Sequence, residues 1–161
     1  MTDDDFMQAV NRNNQRLFLI ALSFTKSTYD AEDILQNVFI KLLKHPKSFS
    51  DNVHLDKWLT TVCVNESKNY IKLPFRYHKN IDDCDFVSGA NFDSTTQIDL
   101  YNAVMGLSKK ERTVIHLFYY ENLSIKDIAE MLKIKESAVK TRLSRARVNL
   151  KEQLGDEWID E

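Results

Sequence analysis

Glycine and proline are scarce in this chain, 3 and 2 among 161 residues. A fold of tight turns and short strands needs many of both, so their scarcity predicts helices and excludes a turn-rich β architecture. Cysteine is nearly absent. Cys63 and Cys84 form no CxxC pair and no metal-ligand spacing, which excludes a disulfide framework and a structural zinc site. Cys63, on an amphipathic stretch, is expected to be a core thiol. No apolar run approaches membrane-spanning length, and the N-terminus lacks the basic-then-apolar pattern of a signal peptide. The expectation is a cytoplasmic protein without membrane insertion. Gly-rich phosphate loops and nucleophile motifs are missing, and His45, His54, His78 and His116 share no ligand spacing. No cofactor, metal or catalytic residue is expected, and the chain is not expected to be an enzyme. His116, in an apolar stretch, is expected to be half-buried with its hydrogen bonds satisfied.

What is present is a globular composition, 43% hydrophobic and 29% charged, with a formal net charge of −2. The acids gather at Asp3–Asp5, Asp30–Asp33, Asp82–Asp85 and Asp156–Glu161, so the near-neutral total hides segregated charge. Apolar spacing predicts four helical segments before the middle of the chain, three of which can be bounded. Phe6–Thr25 has Phe6, Val10, Leu17, Ile20, Ala21 and Phe24 on one face. Asp30–Lys44 opens on acids, which favour a helix N-terminus, and stops before Pro46. Leu55–Lys72 turns Leu55, Trp58, Leu59, Val62 and Tyr70 inward, and residues 47–54 before it read as loop. Residues 73–96 lose periodicity and have a linker composition. Helices Ile98–Met105 and Ser108–Glu121 follow, the second opened by a capping box of Ser108 and Glu111. The expected fold is all-α: two small helical domains, 1–72 and 97–161, joined by a flexible linker at 73–96.

The stretch Ser124–Leu150 carries the most information. Ile125, Ile128, Ala129 and Leu132 share one face of a short helix that Ser124 can cap, with Asp127 three residues on. After a tight turn, Val139, Leu143, Ala146 and Leu150 form a second apolar stripe. The opposite face presents Ser137, Lys140, Thr141, Ser144, Arg145, Arg147 and Lys151. From Lys133 to Lys151 the single acid is Glu136 against seven cations. A solvated helix interleaves its signs, whereas this one repels itself unless a polyanion is near. The pattern predicts a helix-turn-helix whose second helix enters the major groove of DNA.

Two weaker surfaces accompany it. Lys57, Thr61, Asn65, Lys68 and Lys72 form a polar stripe along the third helix, suited to a nucleic-acid backbone, although on this helix alone an ordinary solvated flank is the favoured reading. In DAEDILQ, Asp33 and Gln36 lie at i and i+3, with Asn37 adjoining, a surface suited to protein docking. The alternatives are a self-sufficient helix-turn-helix regulator and an adaptor that binds a protein partner without opening DNA.

These segments together resemble the bacterial RNA polymerase sigma factors of the extracytoplasmic-function (ECF) group. DAEDILQNVFIKLLK resembles the family segment that docks on the β′ clamp. WLTTVCVNESKNYIK, from Trp58 to Lys72, resembles the helix that reads the minus-ten element. The run from Gly106 to Arg147 resembles the domain that reads the minus-thirty-five element. The resemblance implies a promoter-specificity subunit whose partners are core polymerase, through its β′ clamp and β flap, promoter DNA and an anti-sigma protein. It places Asp33, Gln36 and Asn37 at the clamp, with Phe39 and Lys41 nearby. Asn65 falls beside the unwound minus-ten strand, with Thr61 on the same helix where the family commonly has arginine. Lys68, Asn69 and Lys72 would hold the strand backbone, and loop Phe49–His54 would pocket a flipped base. Lys135, Ser137, Ala138, Lys140, Thr141, Ser144, Arg145 and Arg147 would face minus-thirty-five DNA. The basic cluster after the minus-ten helix is thin, with Arg76 and Lys79. Lys133 stands where the family turn has glycine, so a left-handed or otherwise altered conformation with a cost of about 1–2 kcal/mol is expected there. Lys135 replaces the usual capping serine.

Overall fold

The computed structural model describes residues 1–45, 48–72 and 95–155, excepting the side chains of 95–97. The linker to residue 94, the acidic tail 156–161, and with them Arg76, His78, Lys79 and Cys84, lie outside the described residues. The chain divides into two compact units, Met1–Cys84 and Asp85–Glu161. Every described element is helical.

The first unit packs α1 (Asp3–Thr25), α2 (Thr28–Leu43) and α3 (Asn52–Tyr70) against one another. Periodicity predicts four helices in this half, and three are found among its described residues. Helix α1 begins earlier than its apolar pattern because Thr2 and Asp5 form a capping box, and Asp3–Asp5 complement the helix N-terminus. Ser27 caps α2 and Asp51 caps α3, so the loop expected through residue 54 already turns helical at Asn52. Leu17, Ile20 and Ala21 of α1 meet a core shared with Ile34, Val38 and Leu42 of α2 and Leu55, Leu59 and Cys63 of α3. The buried face of α3 is rotated from the expected one. Thr60, Cys63, Val64 and Ser67 point inward, whereas Trp58, Val62 and Tyr70 are only half-buried.

Polar contacts fix how α1 meets α3. Asp56 accepts bonds from Arg12, at 2.7 Å from Nη2, and from the amide of buried Asn13, at 2.9 Å. Arg16 donates to Thr60 Oγ1 and to Asn13. Burial pushes the Asp56 carboxyl up, but the bonds from Arg12 and Asn13 and the nearby Arg16 charge outweigh it and hold it below the usual range.

The second unit contains α4 (Thr95–Met105), α5 (Lys109–Ile115), α6 (Ile125–Leu132) and α7 (Glu136–Leu154). Helix α5 runs into one π-helical turn, His116–Tyr120, closed by Glu121 N–H donating to the His116 carbonyl. The α-helix expected through Glu121 therefore changes pitch at His116. Ser108 caps α5 by accepting from Glu111 N–H, but the Glu111 carboxylate does not return to the backbone. It accepts from Ser108 Oγ and from the Asn149 amide, tying α5 to α7. His116 departs furthest from expectation. It is fully buried, and neither ring nitrogen has a hydrogen-bond partner among the described residues. Its ring stacks on Tyr120 at 5.1 Å, and burial pushes the imidazole down to about 4.

Helices α6 and α7 follow the sequence pattern closely. Ser124 accepts from Asp127 N–H, and Val139, Leu143, Ala146 and Leu150 are the buried residues of α7. Lys133 ends α6 in the left-handed conformation, φ 58° and ψ 46°. Replacing it with glycine, which adopts that conformation without strain, should raise the unit's stability by about 1 kcal/mol. Thermal melting of the full chain would check this; an unchanged or lower midpoint counts against strain at the turn.

Candidate DNA and polymerase interface

Three surfaces collect the residues singled out above. On α2, Gln36, Asn37 and Lys41 are exposed, and Phe39 is half-buried with its ring edge-on to Phe6 at 6.4 Å. Ile40 and Leu43 extend this face as exposed apolar side chains. Asp33 is half-buried and accepts from the Tyr70 hydroxyl at 3.0 Å, as does buried Asp30. Burial, then the two carboxylates, raise the Tyr70 hydroxyl above the ordinary phenol range. Asp30 lies in the first turn of α2, as expected, and is also an interior acceptor, while Asp33, expected on a polar docking face, is part of the α2–α3 joint as well. Lys41 is also committed to α3, through an ion pair with Glu66.

Along α3, Asn65 and Asn69 are exposed, with Thr61 and Lys68 half-buried beside them; the helix expected through Lys72 ends at Tyr70, and Lys72 is exposed in the turn after it. Thr61 returns its hydroxyl to the Lys57 carbonyl, which keeps it close to the helix. Where α3 begins, four rings cluster: His45 stacks on Phe49 at 4.7 Å, Phe49 meets His54 at 5.2 Å, and Trp58 lies within 4.8 Å of His45. His45 and His54, apparently unrelated in sequence, thus meet around Phe49. A cleft of about 350 Å³ opens next to these rings, lined by Phe49, Asp51, Asn52 and Leu55 and by Asp5, Gln8 and Arg12 of α1. Its α1 wall could not be read from periodicity, because the lining residues are ordinary exposed positions on their own helix.

On α7, Ser137, Lys140, Thr141, Ser144 and Arg145 are exposed along one side, with Ala138 half-buried and Lys135 exposed at the N-cap. Lys135 gives no side-chain cap, so its ammonium is not used in closing the helix. Thr141 bonds back to the Ser137 carbonyl. Arg147 differs from the rest of this group. Its Nε donates to the Tyr119 hydroxyl at 2.8 Å, and its guanidinium lies 5.9 Å from the Phe118 ring centre and 5.7 Å from that of Tyr119. It joins α7 to the π-helical turn as well as flanking the basic face.

A helix-turn-helix with a basic outer face in one unit, and three helices among the described residues of the other with a polar stripe on the third, are the two parts of one known architecture. Residues 9–73 match sigma-70 region 2, and residues 97–150 match sigma-70 region 4. The chain belongs to the sigma-70 family. Among its relatives are the ECF RNA polymerase sigma factor SigW of Bacillus subtilis, 28% identical with 95% of this chain and 90% of the relative covered, and the RNA polymerase sigma factor SigV of the same organism, 26% identical with 92% and 90% covered. The sigma factor RpoE of Bartonella quintana, solved in complex with the anti-sigma factor NepR, superposes with a TM-score of 0.71 at 27% identity, over 96% of this chain and 99% of that one. This sigma factor is of the ECF group and is a promoter-specificity subunit of RNA polymerase. Among the described residues, no helix is long and apolar enough to cross a membrane.

Proposed function

We propose that this sigma factor docks on the polymerase β′ clamp through Asp33, Gln36, Asn37 and Phe39 of α2. Helix α7 enters the major groove of minus-thirty-five DNA, with Lys135, Ser137, Ala138, Lys140, Thr141, Ser144, Arg145 and Arg147 toward the duplex. Asn65, with Thr61 nearby, meets the unwound minus-ten strand, while Lys68, Asn69 and Lys72 hold its backbone. The cleft beside Phe49 receives one flipped base. The observation that carries this is the pairing, in one unit, of exposed Asn65, Asn69 and Lys72 with a cleft at the start of α3 that Phe49 and His45 help to line, groups suited to holding a strand and one base. Unstacking a base costs a few kcal/mol, offset by pocket and backbone contacts. The protein acts by binding, with no reaction of its own, and works in the cytoplasm beside polymerase, where the β flap holds its C-terminal unit. An anti-sigma protein covering these faces is the regulator we expect, since the Bartonella relative is captured by one.

Asn65 separates opening from duplex binding. Asn65→Ala in holoenzyme should leave closed complexes nearly intact but lower permanganate-reactive minus-ten thymines. A premelted template should restore most of the lost transcription. Equal losses on duplex and premelted templates would make Asn65 a structural residue and remove the strand-capture reading.

Docking is tested at Gln36 and Asn37, because Asp33 also holds Tyr70. The pair Gln36→Ala, Asn37→Ala should weaken core binding by about tenfold or more, the effect of losing one or two interface anchors. Native affinity in a titration of core with the double variant would move the docking face elsewhere.

A further inference from the structure

Lys41 lies on the docking helix, yet its ammonium is ion-paired with Glu66 on α3. Glu66 directly follows Asn65. At 100° per residue it sits about 60° around the helix from Asn69, so it borders the stripe assigned to the minus-ten strand. Its side chain is only 15% exposed, so the carboxylate is largely withdrawn from water, whereas Lys41 is 58% exposed. An unpaired carboxylate there would carry a desolvation cost and would also repel the phosphates the stripe has to receive. The stripe has few cations to offset it, with Lys68 on the helix and Lys72 in the turn after it the nearest in sequence.

We propose that Lys41 is a positioning residue for the minus-ten surface and not a clamp contact: it neutralises Glu66 from the neighbouring helix so that α3 can accept a DNA strand. The proposal rests on the minus-ten assignment of α3. Lys41 sits only about 40° around α2 from Asn37, so it forms the edge of the docking face that reaches across to α3 and serves the DNA surface there.

The test measures holoenzyme binding to a single-stranded minus-ten oligonucleotide, alongside binding to core alone. Lys41→Met should weaken oligonucleotide binding roughly three- to tenfold at low salt, with the deficit shrinking as salt screens Glu66. Core affinity should stay within about twofold. Glu66→Gln added to Lys41→Met should restore oligonucleotide binding to within about twofold, and Lys41→Arg should retain it. Because Glu66→Gln also removes the desolvation cost of an unpaired carboxylate, the melting of each variant is followed alongside. A deficit in Lys41→Met with the protein fully folded at the assay temperature is electrostatic, whereas a deficit that tracks unfolding overturns the proposal. Loss of core affinity in Lys41→Met without rescue by Glu66→Gln would make Lys41 a clamp contact and overturn the proposal. Normal oligonucleotide binding by Lys41→Met overturns it too, leaving the minus-ten reading intact. Failure of the native holoenzyme to bind the oligonucleotide overturns that reading and the proposal with it.

Discussion

Acidification from pH 7 to pH 4 is expected to remove about 3 kcal/mol of stability from the C-terminal unit through one imidazole, that of His116. The group is fully buried, makes no hydrogen bond from either ring nitrogen among the described residues, and has its folded value pushed down to about 4 from 6.5. Between those two values the unfolded chain binds a proton that the folded unit rejects. Stability is therefore fully present above about pH 6.5 and falls as pH drops toward 4. Hydrogen exchange of the α5–α7 amides in the full chain, followed against pH, would measure it. Because carboxylates also titrate in this range, the comparison is with His116→Phe, which keeps a ring to stack on Tyr120 and removes the titrating nitrogens. The variant should lose most of the slope between pH 6.5 and 4. Equal slopes in the two proteins would mean that His116 is already protonated, or has found a partner, in the folded unit.

The second large effect is expected on α7, where base-reading and backbone-holding residues separate. Lys140 and Arg145 are exposed on its outer side. Replacing either with alanine should cost about 1–3 kcal/mol of holoenzyme binding if it meets a base edge, and should relax preference at one or two minus-thirty-five positions. Lys151, one turn from the C-terminal end, should instead weaken all sequences alike and lower the salt slope by about 0.9 if it meets one phosphate. Arg147 belongs to neither group cleanly. Its bond to Tyr119 and its packing on Phe118 mean that Arg147→Ala should also lower the melting temperature of the C-terminal unit. Binding to a library of minus-thirty-five variants at two salt concentrations would resolve the three behaviours. Identical sequence profiles for Lys140→Ala and Lys151→Ala would reduce α7 to an electrostatic clamp.

The features that sequence patterning could reach are those set by neighbours within one or two turns. Whereas the left-handed Lys133 is implied by the family resemblance alone, the α7 stripe and the Ser124 cap belong to this class, since helix period and capping are local. Even there, a change of period by one residue is invisible to a fixed-pitch reading, and the π-helical turn at His116 was missed for that reason. The joints between helices were out of reach. Tyr70 meets Asp30 and Asp33 across 40 and 37 residues, and Arg12 meets Asp56 across 44. Such pairs become neighbours only after α1, α2 and α3 pack. One signal was available: Asn13 lies midway between buried Ala9 and Leu17, four residues from each, so a polar group on that core-facing line required a partner. Tyr70, expected to turn inward, is half-buried at the edge of the core, and its hydroxyl's destination is not readable from the sequence. That destination changes how Asp33 should be tested, because a charge reversal there would break a helix joint along with any polymerase contact.

Transcription by purified core polymerase on genomic fragments, with and without this protein, addresses the central claim most directly. The account predicts transcripts from discrete start sites only when the protein is present, with Asn65→Ala reducing them on duplex templates and a premelted minus-ten region restoring them. Identical transcripts with and without the protein, under conditions where it binds core, would contradict it.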